Sequence, residues 1–364
     1  MIGILGAYGD IGLNVIRTLK KLGITEIKGC GRDVSKVSEK VKAEFPFVIW
    51  HNVDVSSLEQ LRSFAKDCDV VVNCTPSYHM SGIIAGNMAG CGCKYVDAGF
   101  SEEFYDMPDN SGDTLIFAAG STPGLSMMLC RSLAKNFVRT DSIRYIFGAL
   151  DVFSYGAARD YIEGIGSRNN VPLSAYKNGV KTAMAAKRQL QAEVPMFPRR
   201  VELCPFSDTE TDLIMKYTGA KEGVFYIALD GKFLTGELNK IRMKYDQSPE
   251  EAVSDLMKVS RLEMTDKSGY IRFLIEAAGE TENGDESMTL YFMNESSSEL
   301  TGSVAACTAY LAHEGRMAAG AYPCACAENF EEITDLLLKV CSDAVFQVIP
   351  GKADSLLESC EGEI

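Results

Sequence analysis

Glycines at positions 6, 9 and 12 are the residues of this 364-residue chain whose spacing says most about chemistry. They stand in Ile4-Leu5-Gly6-Ala7-Tyr8-Gly9-Asp10-Ile11-Gly12-Leu13, straight after an apolar run that begins at Met1. A turn without Cβ atoms lets the backbone approach a pyrophosphate. A helix starting in that turn aims free N–H groups and its positive dipole end at the anion. The spacing is Gly-x-x-Gly-x-x-Gly, one residue longer than the usual dinucleotide fingerprint. Gly6, Tyr8, Gly9, Asp10, Ile11 and Gly12 are therefore candidate cofactor residues.

The next turn bears on which dinucleotide binds. A second strand, Glu26–Gly31, delivers Arg32, with Ser35 and Lys36 just beyond. An NAD-specific site places Asp or Glu here to accept hydrogen bonds from the ribose hydroxyls. A guanidinium instead pairs with a 2′-phosphate and stacks on adenine. Arg32 and Lys36 thus favour NADP. Asp33, one residue later, is within reach of a ribose and keeps NAD open.

These residues need a parallel sheet to hold them. Ile11, Val15, Ile16, Leu19 and Leu22 fall on one face of a helix that Gly23 stops. A third strand, Phe47–Trp50 with Val53, ends at Asp54 and Val55, where adenine edges are read. A helix over Ser57–Lys66 leads to the buried strand 69–76, whose end carries Cys74, Thr75 and Pro76 on the nicotinamide side. Helix 77–89, strand Lys94–Ala98 and strand Thr114–Ala119 follow. Strands alternating with helices of this length imply an α/β Rossmann sheet, doubly wound with right-handed crossovers. Ligands lie beyond the carboxyl ends of such strands, so the loops Thr75–His79, Asp97–Phe100 and Gly120–Gly124 are candidate sites.

Bulk properties set limits. Lys and Arg total 36 against 50 Asp and Glu, a net charge of −14 that opposes nucleic acid and anionic membranes. A local basic pocket can still hold a phosphorylated cofactor. No apolar run reaches the ~20 residues of a membrane span. With a strand starting at Met1 and no charged-then-apolar leader, a cytoplasmic protein is expected, its twelve cysteines reduced. Cys91/Cys93 and Cys324/Cys326 lack the two-residue gap of a zinc knuckle, and the three histidines form no His-x-x-x-His pair, so no metal is expected. Cys74 is the best placed cysteine for nucleophilic work, although no neighbouring pattern supports an activated thiolate.

Asn73-Cys-Thr-Pro76, Tyr95-Val-Asp-Ala-Gly99 and Ala119-Gly-Ser-Thr-Pro-Gly-Leu-Ser126 resemble the saccharopine dehydrogenase-like family of NAD(P)-dependent oxidoreductases. That family includes saccharopine reductases, lysine 6-dehydrogenases and carboxynorspermidine synthases. The resemblance continues through Tyr155-Gly-Ala-Ala-Arg-Asp-Tyr161, residues 171–180, Thr301-Gly-Ser-Val-Ala-Ala306 and Glu314-Gly-Arg-Met-Ala-Ala-Gly320. It implies hydride exchange between a nicotinamide and an amine/imine pair of an amino acid or polyamine. In saccharopine and carboxynorspermidine enzymes the turn after strand six reads Asp-Pro-Gly. Here it is Thr122-Pro123-Gly124, which removes a carboxylate for a substrate ammonium and favours the lysine-dehydrogenase-like branch. Thr122 offers a hydroxyl there, or caps the helix that follows.

Amine chemistry needs a group that moves a proton near neutrality. His79, with an ordinary pKa of ~6.5, Asp97 and the phenol of Tyr78 are the candidates. Gly120 is assigned to the cofactor. Ser121, Thr122, Tyr155 and Arg159 are assigned to substrate, with Arg199 and Arg200 as further carboxylate anchors.

Three domains of sequence follow: a cofactor domain over 1–124, an α+β substrate and dimerisation domain with an open mixed sheet over 125–322, and a return to the first domain over 323–364. Within the second, Ser142–Leu150, Gly223–Leu229, Tyr270–Gly279 and Ser287–Met293 read as strands. Residues 157–165 and Pro172–Tyr176 read as helical, and helices are expected on one sheet face. Residues 354–364 read as a disordered tail. A homodimer acting on a small molecule is expected, with no nucleic-acid or membrane partner. A reductase of another carbonyl or alkene, and a non-catalytic NADPH sensor, stay open beside the amine oxidoreductase.

Overall fold

A computed structural model describes residues 1–76, 78–101, 103–104, 112–165 and 169–354, without the side chains at 78, 79, 165 and 242. The chain forms two compact units, 1–128 with 298–342, and 129–297 with 343–364.

The first unit begins β1 (Ile2–Leu5), α1 (Asp10–Lys21), β2 (Ile27–Gly31), α2 (Glu39–Glu44), β3 (Val48–Asn52), α3 (Leu58–Ala65) and β4 (Val70–Asn73). It continues with α4 (Tyr78–Met88), β5 (Lys94–Asp97) and β6 (Thr114–Phe117), and the chain passes from the first unit to the second within α5 (Leu125–Ala134). β1 and β4 are buried along their whole length, as strands covered on both faces must be. α1 turns Val15, Ile16 and Leu19 inward and carries Lys20 and Lys21 in its last turn, facing the negative dipole end.

The second unit is built on β7 (Arg139–Leu150), α6 (Tyr155–Ile165), β8 (Val171–Pro172), β9 (Ala175–Lys177), β10 (Val180–Thr182), β11 (Gln189–Ala192) and β12 (Val201–Ser207). Then come α7 (Thr209–Thr218), β13 (Glu222–Leu229), α8 (Lys232–Leu238), α9 (Ile241–Gln247), α10 (Pro249–Glu263), β14 (Tyr270–Thr281) and β15 (Gly284–Asn294). The chain re-enters the first unit through α11 (Ser297–His313), β16 (Gly320–Pro323) and α12 (Phe330–Val340), then ends on β17 (Val345–Pro350).

The first sheet has the order β16-β6-β5-β4-β1-β2-β3, every pair parallel, and is the doubly wound Rossmann sheet expected. Its strand order reverses between β1 and β4, which makes the crevice above their carboxyl ends the ligand position. The second sheet is mixed and ten-stranded, with β7 at its centre between parallel β13 and antiparallel β14. Tyr145, Phe147, Phe225, Phe273 and Phe292 form a contiguous aromatic core on one face of it.

Several expectations are corrected. Pro172–Tyr176 is not helical: Pro172 pairs with Phe206, Tyr176 pairs with Gly223, and Leu173 between them has φ 54°, which breaks any helix. Helices lie on both faces of the second sheet, not one. α7 meets the aromatic face, where Met215 approaches Gly223, while α6 and α8–α10 pack on Leu150 and Tyr270 of the other. The return to the first unit comes at 298, not 323, because α11 is buried on nearly every side. Its Ser303 hydroxyl meets that of Thr18 on α1 at 3.0 Å. Residues 343–354 also leave the first unit, since β17 pairs with β15 along six residues. Of the expected disordered tail, 355–364 lie outside the described residues. Among the described residues, no helix is long and apolar enough to cross a membrane.

The contact between α11 and α1 has no slack at Gly302. A Cβ there would stand 2.7 Å from Asn14 Cβ and 2.8 Å from the Ile11 carbonyl oxygen. Alanine in a helix gains about 1 kcal/mol over glycine, whereas overpacking against backbone costs about 1–3 kcal/mol. Gly302→Ala is expected to destabilise the protein by up to about 2 kcal/mol net, read as a lower urea midpoint with unchanged slope; a midpoint that rises would refute this packing.

Candidate functional site

The site starts from a steric constraint. Gly6 has φ 73°, and a Cβ on it would lie 2.8 Å from the Cys74 carbonyl oxygen at the end of β4. A Cβ on Gly12 would lie 2.4 Å from the Gly6 carbonyl oxygen. The turn is thus pressed against β4 on one side and carries α1 directly on the other. Ala7 N–H donates to the Cys30 carbonyl at 2.9 Å, and Gly9 N–H to the Gly6 carbonyl at 3.1 Å.

Gly9 differs from its two neighbours. A Cβ there would meet only the Gly6 carbonyl oxygen, at 3.4 Å, so the protein leaves room for one. Gly9 is exposed, and it is the N-cap of α1 without any side-chain capping bond. The amides of Asp10, Ile11 and Gly12 begin the helix with no acceptor four residues back. Room, free donors and a dipole end coincide, which is what a pyrophosphate requires.

Tyr8 joins this turn to the end of β2. Its ring occupies the space a Cβ on Gly31 would take, 2.2 Å from the ring edge, and its hydroxyl accepts from the Asp33 N–H at 3.4 Å. Beyond Gly31 the charges are sorted. Asp33 Oδ1 accepts from the Ser35 N–H at 3.1 Å and the Ser35 hydroxyl at 2.6 Å, and these bonds hold its carboxyl below the usual range. Asp54 does the same with Ser56, at 3.0 and 2.7 Å, and is lowered by those bonds first and by the Arg32 charge after. Arg32 and Lys36 are exposed, and the side chain of neither forms a hydrogen bond or ion pair among the described residues. Two acids are tied into their own turns while two cations stand open to an anion. Val55 packs partly against the core, flooring the same corner.

On the nicotinamide side, Cys74 and Thr75 are half-buried and Pro76 exposed. Burial, with the Asp97 charge added, pushes the Cys74 thiol well above its ordinary pKa, which disfavours the thiolate a nucleophile needs. Asp97 is only 2% exposed and already accepts from Asn73, Tyr95 and the Gly99 N–H. Its acceptor positions are thus occupied by the protein's own donors. His79 and Tyr78 lie in the first turn of α4, immediately after this loop, and their side chains are outside the described residues. Gly120 is buried, its N–H bonded to the Pro123 carbonyl at 3.2 Å. Ser121, expected to touch substrate, is 6% exposed and hydrogen-bonded to Thr301 on α11 at 2.9 Å. Thr122 next to it is exposed.

In the second unit the expected anchors already have partners. The Tyr155 hydroxyl donates to both Glu250 oxygens at 3.0 Å, and Arg159 Nε pairs with Glu163 at 3.0 Å. Arg199 pairs with Asp230 at 2.7 Å and Arg200 with Glu193 at 3.0 Å. Sequence reasoning missed Asn73 and Tyr95. The signal for Asn73 was present: an amide closing the apolar run 70–72 at a buried strand end is out of place unless it bonds something.

Residues 2–117 match the model of a family described as the saccharopine dehydrogenase NADP binding domain. The whole chain is similar to the apo saccharopine dehydrogenase (L-Glu forming) of Saccharomyces cerevisiae, at 13% identity, with 96% of this chain and 99% of that chain covered and a TM-score of 0.69. A putative myo-inositol dehydrogenase from Sinorhizobium meliloti is similar over 93% of this chain and 94% of its own, at 11% identity and a TM-score of 0.44 that carries no argument. No curated protein sequence matches significantly. Residues 2–117 thus form a saccharopine dehydrogenase-type NADP-binding domain, and the chain shares the fold of that enzyme.

The glycines separate fold from ligand. Gly9→Ala is expected to shift stability by less than about 1 kcal/mol while weakening NADPH about tenfold or more, because the methyl group enters the pyrophosphate position. Gly6→Ala is expected to unfold the unit. Urea denaturation with a parallel NADPH titration checks both, and full NADPH affinity in Gly9→Ala would remove the pyrophosphate from this turn.

Proposed function

We propose that this saccharopine dehydrogenase-like oxidoreductase interconverts an amine and an imine or carbonyl on an amino-acid or polyamine-type substrate, with NADP(H) as its cofactor. One observation carries the reading. A saccharopine dehydrogenase NADP-binding domain opens a chain whose full length follows the fold of an enzyme named for an amine substrate. The bound dinucleotide supplies the hydride exchange. The chain's own residues bind it, orient it and move the proton.

Binding falls to the Gly9–Gly12 amides for the pyrophosphate, Arg32 and Lys36 for the 2′-phosphate, and Asp54 and Val55 beside adenine. NADP is favoured over NAD because Asp33 is held by Ser35, leaving the guanidinium as the open group after β2. Proton movement at the substrate nitrogen falls to His79 or Tyr78, since Asp97 is committed elsewhere. An imidazole, with an unperturbed pKa of ~6.5, suits the task. Thr122, with a hydroxyl where saccharopine and carboxynorspermidine enzymes carry a carboxylate, favours lysine-derived amines over saccharopine.

A charge-assisted phosphate contact is worth about 1.5–3 kcal/mol, which is about 10- to 150-fold in affinity. Arg32→Ala is therefore expected to weaken NADPH by about tenfold or more and NADH by less than about twofold, measured by paired fluorescence titrations. Equal loss of both cofactors would take the 2′-phosphate away from Arg32. On a panel of lysine-derived amines and keto acids, His79→Asn is expected to lower kcat about a hundredfold and to erase the inflection near neutral pH. Undiminished turnover would exclude His79, and no turnover by the wild-type protein anywhere on the panel would refute the amine reading.

A further inference from the structure

The parallel strands β4, β5 and β6 end side by side, and the residue that closes β5 bonds to both neighbours, by its buried carboxylate to the end of β4 and by its main chain to the residues after β6. Asp97 closes β5 and lies directly across from Asn73, which closes β4 and is 1% exposed. Asn73 Nδ2 donates to Asp97 Oδ2 at 2.9 Å, and the Tyr95 hydroxyl donates to the same oxygen at 2.5 Å. The Gly99 N–H donates to Oδ1 at 2.8 Å, and the side chain of Ser81 on α4 is a further partner.

The network reaches into each loop at the ligand end of the sheet. Asn73 Oδ1 accepts from both the N–H and the hydroxyl of Thr75, at 3.1 and 2.7 Å. The Asp97 carbonyl accepts the Ala119 N–H at 2.9 Å, and the Gly99 carbonyl accepts the Ala118 N–H at 2.8 Å. Thr75 N also lies 3.2 Å from where a Cβ on Gly6 would stand, so the loop Asn73 holds is the one pressed against the glycine turn.

A buried carboxylate is a poor choice for stability alone. A well-packed apolar residue of similar volume usually does as well or better, because the charged group loses its hydration. Burial does push the Asp97 carboxyl up, against the donors that hold it down. What the carboxylate adds is direction: its acceptor positions tie the end of β4, the turn after β5 and α4 together, and the main-chain carbonyls of Asp97 and Gly99 in that same turn hold the residues after β6. Those loops line the carboxyl ends of β4, β5 and β6, on the side of the switch point away from Arg32.

We infer that Asp97 and Asn73 are positioning residues for the nicotinamide half of the cofactor, holding the loops 74–76, 98–99 and 118–120 in register with the glycine turn. The adenosine half depends on the glycine turn and the Arg32 corner, which the network does not bond. The inference rests on the cofactor reading above, and the two fail in different ways.

The test compares NADPH, which fills both halves, with 2′,5′-ADP, which fills only the adenosine half. Affinities for both are measured by calorimetry on wild type, Asn73→Ala, Asp97→Asn and Tyr95→Phe, with urea midpoints for each. Tyr95→Phe keeps the ring in its apolar surroundings and removes one donor, so it stays folded if the more severe variants do not. Losing a hydrogen bond to a charged group predicts about tenfold weaker NADPH, with 2′,5′-ADP changed by less than about twofold. Parallel losses for the two ligands, or unchanged NADPH affinity in folded Tyr95→Phe and Asn73→Ala, would overturn the positioning role. Wild-type protein that bound neither ligand would instead overturn the cofactor reading itself.

Discussion

The close approach of the first turn to the end of β4 is the constraint on which the rest of the first unit depends. Backbone meets backbone at Gly6 and Cys74, and again at Gly12 and Gly6, with no space for a side chain. Any residue but glycine at position 6 would collide with Cys74 and meet an unfavourable left-handed φ. Because that contact is fixed, α1 must start where it does and point its amides over the crevice between β1 and β4. α11 then packs on the outer side of α1 with the same lack of slack, at Gly302. The chain leaves for the second unit and comes back to secure the helix that presents the cofactor site. Gly9 is the exception, since protein packing alone does not require it.

Electrostatics at this site are governed by short-range partners more than by net charge. The chain carries −14 overall, yet the groups left open past β2 and beside β3 are cations. Ser35 and Ser56 achieve this by occupying Asp33 and Asp54 in local turns. A free carboxylate beside Arg32 would compete with an incoming phosphate for the guanidinium. A carboxylate bonded to its own serine competes less, and Arg32 keeps its donors for a ligand. In the second unit the opposite holds: Arg159, Arg199 and Arg200 each have an acid within 3.0 Å. Their guanidinium groups serve the fold there.

The doubly wound sheet was legible in the sequence because its signals are local. Periodic apolar faces, a glycine stop at 23 and buried runs such as 70–72 each report their element from within a few residues. The second unit was less legible where structure depends on distant partners. Val171–Tyr176 contains a proline and serine that suit a turn and helix, but its conformation is decided by Phe206 and Gly223, more than thirty residues away in sequence. The re-entry at 298 and the departure at 343 are set in the same way, by which surface α11 and β17 find to cover.

The candidate site divides along the same line, and two aspartates make the point. Asp33 and Asp97 each follow a strand's apolar run and each was given an ionisable role at the site. Asp33 is half-buried, and its neighbour Ser35 draws its carboxyl down. Asp97 is enclosed, and loss of water drives its carboxyl up while Asn73 and Tyr95 bind it. The partner of Asp33 is two residues away and can be read from the sequence as a turn motif. The decisive partner of Asp97 is Asn73, 24 residues away, and it becomes a neighbour only when β4 and β5 pair in their actual register. A shift of one residue in that register would turn the amide to the opposite face of the sheet and leave the carboxylate without it. The surroundings of a carboxylate at a strand end are thus a property of strand pairing, and for Asp97 the pairing supplies the amide that binds it.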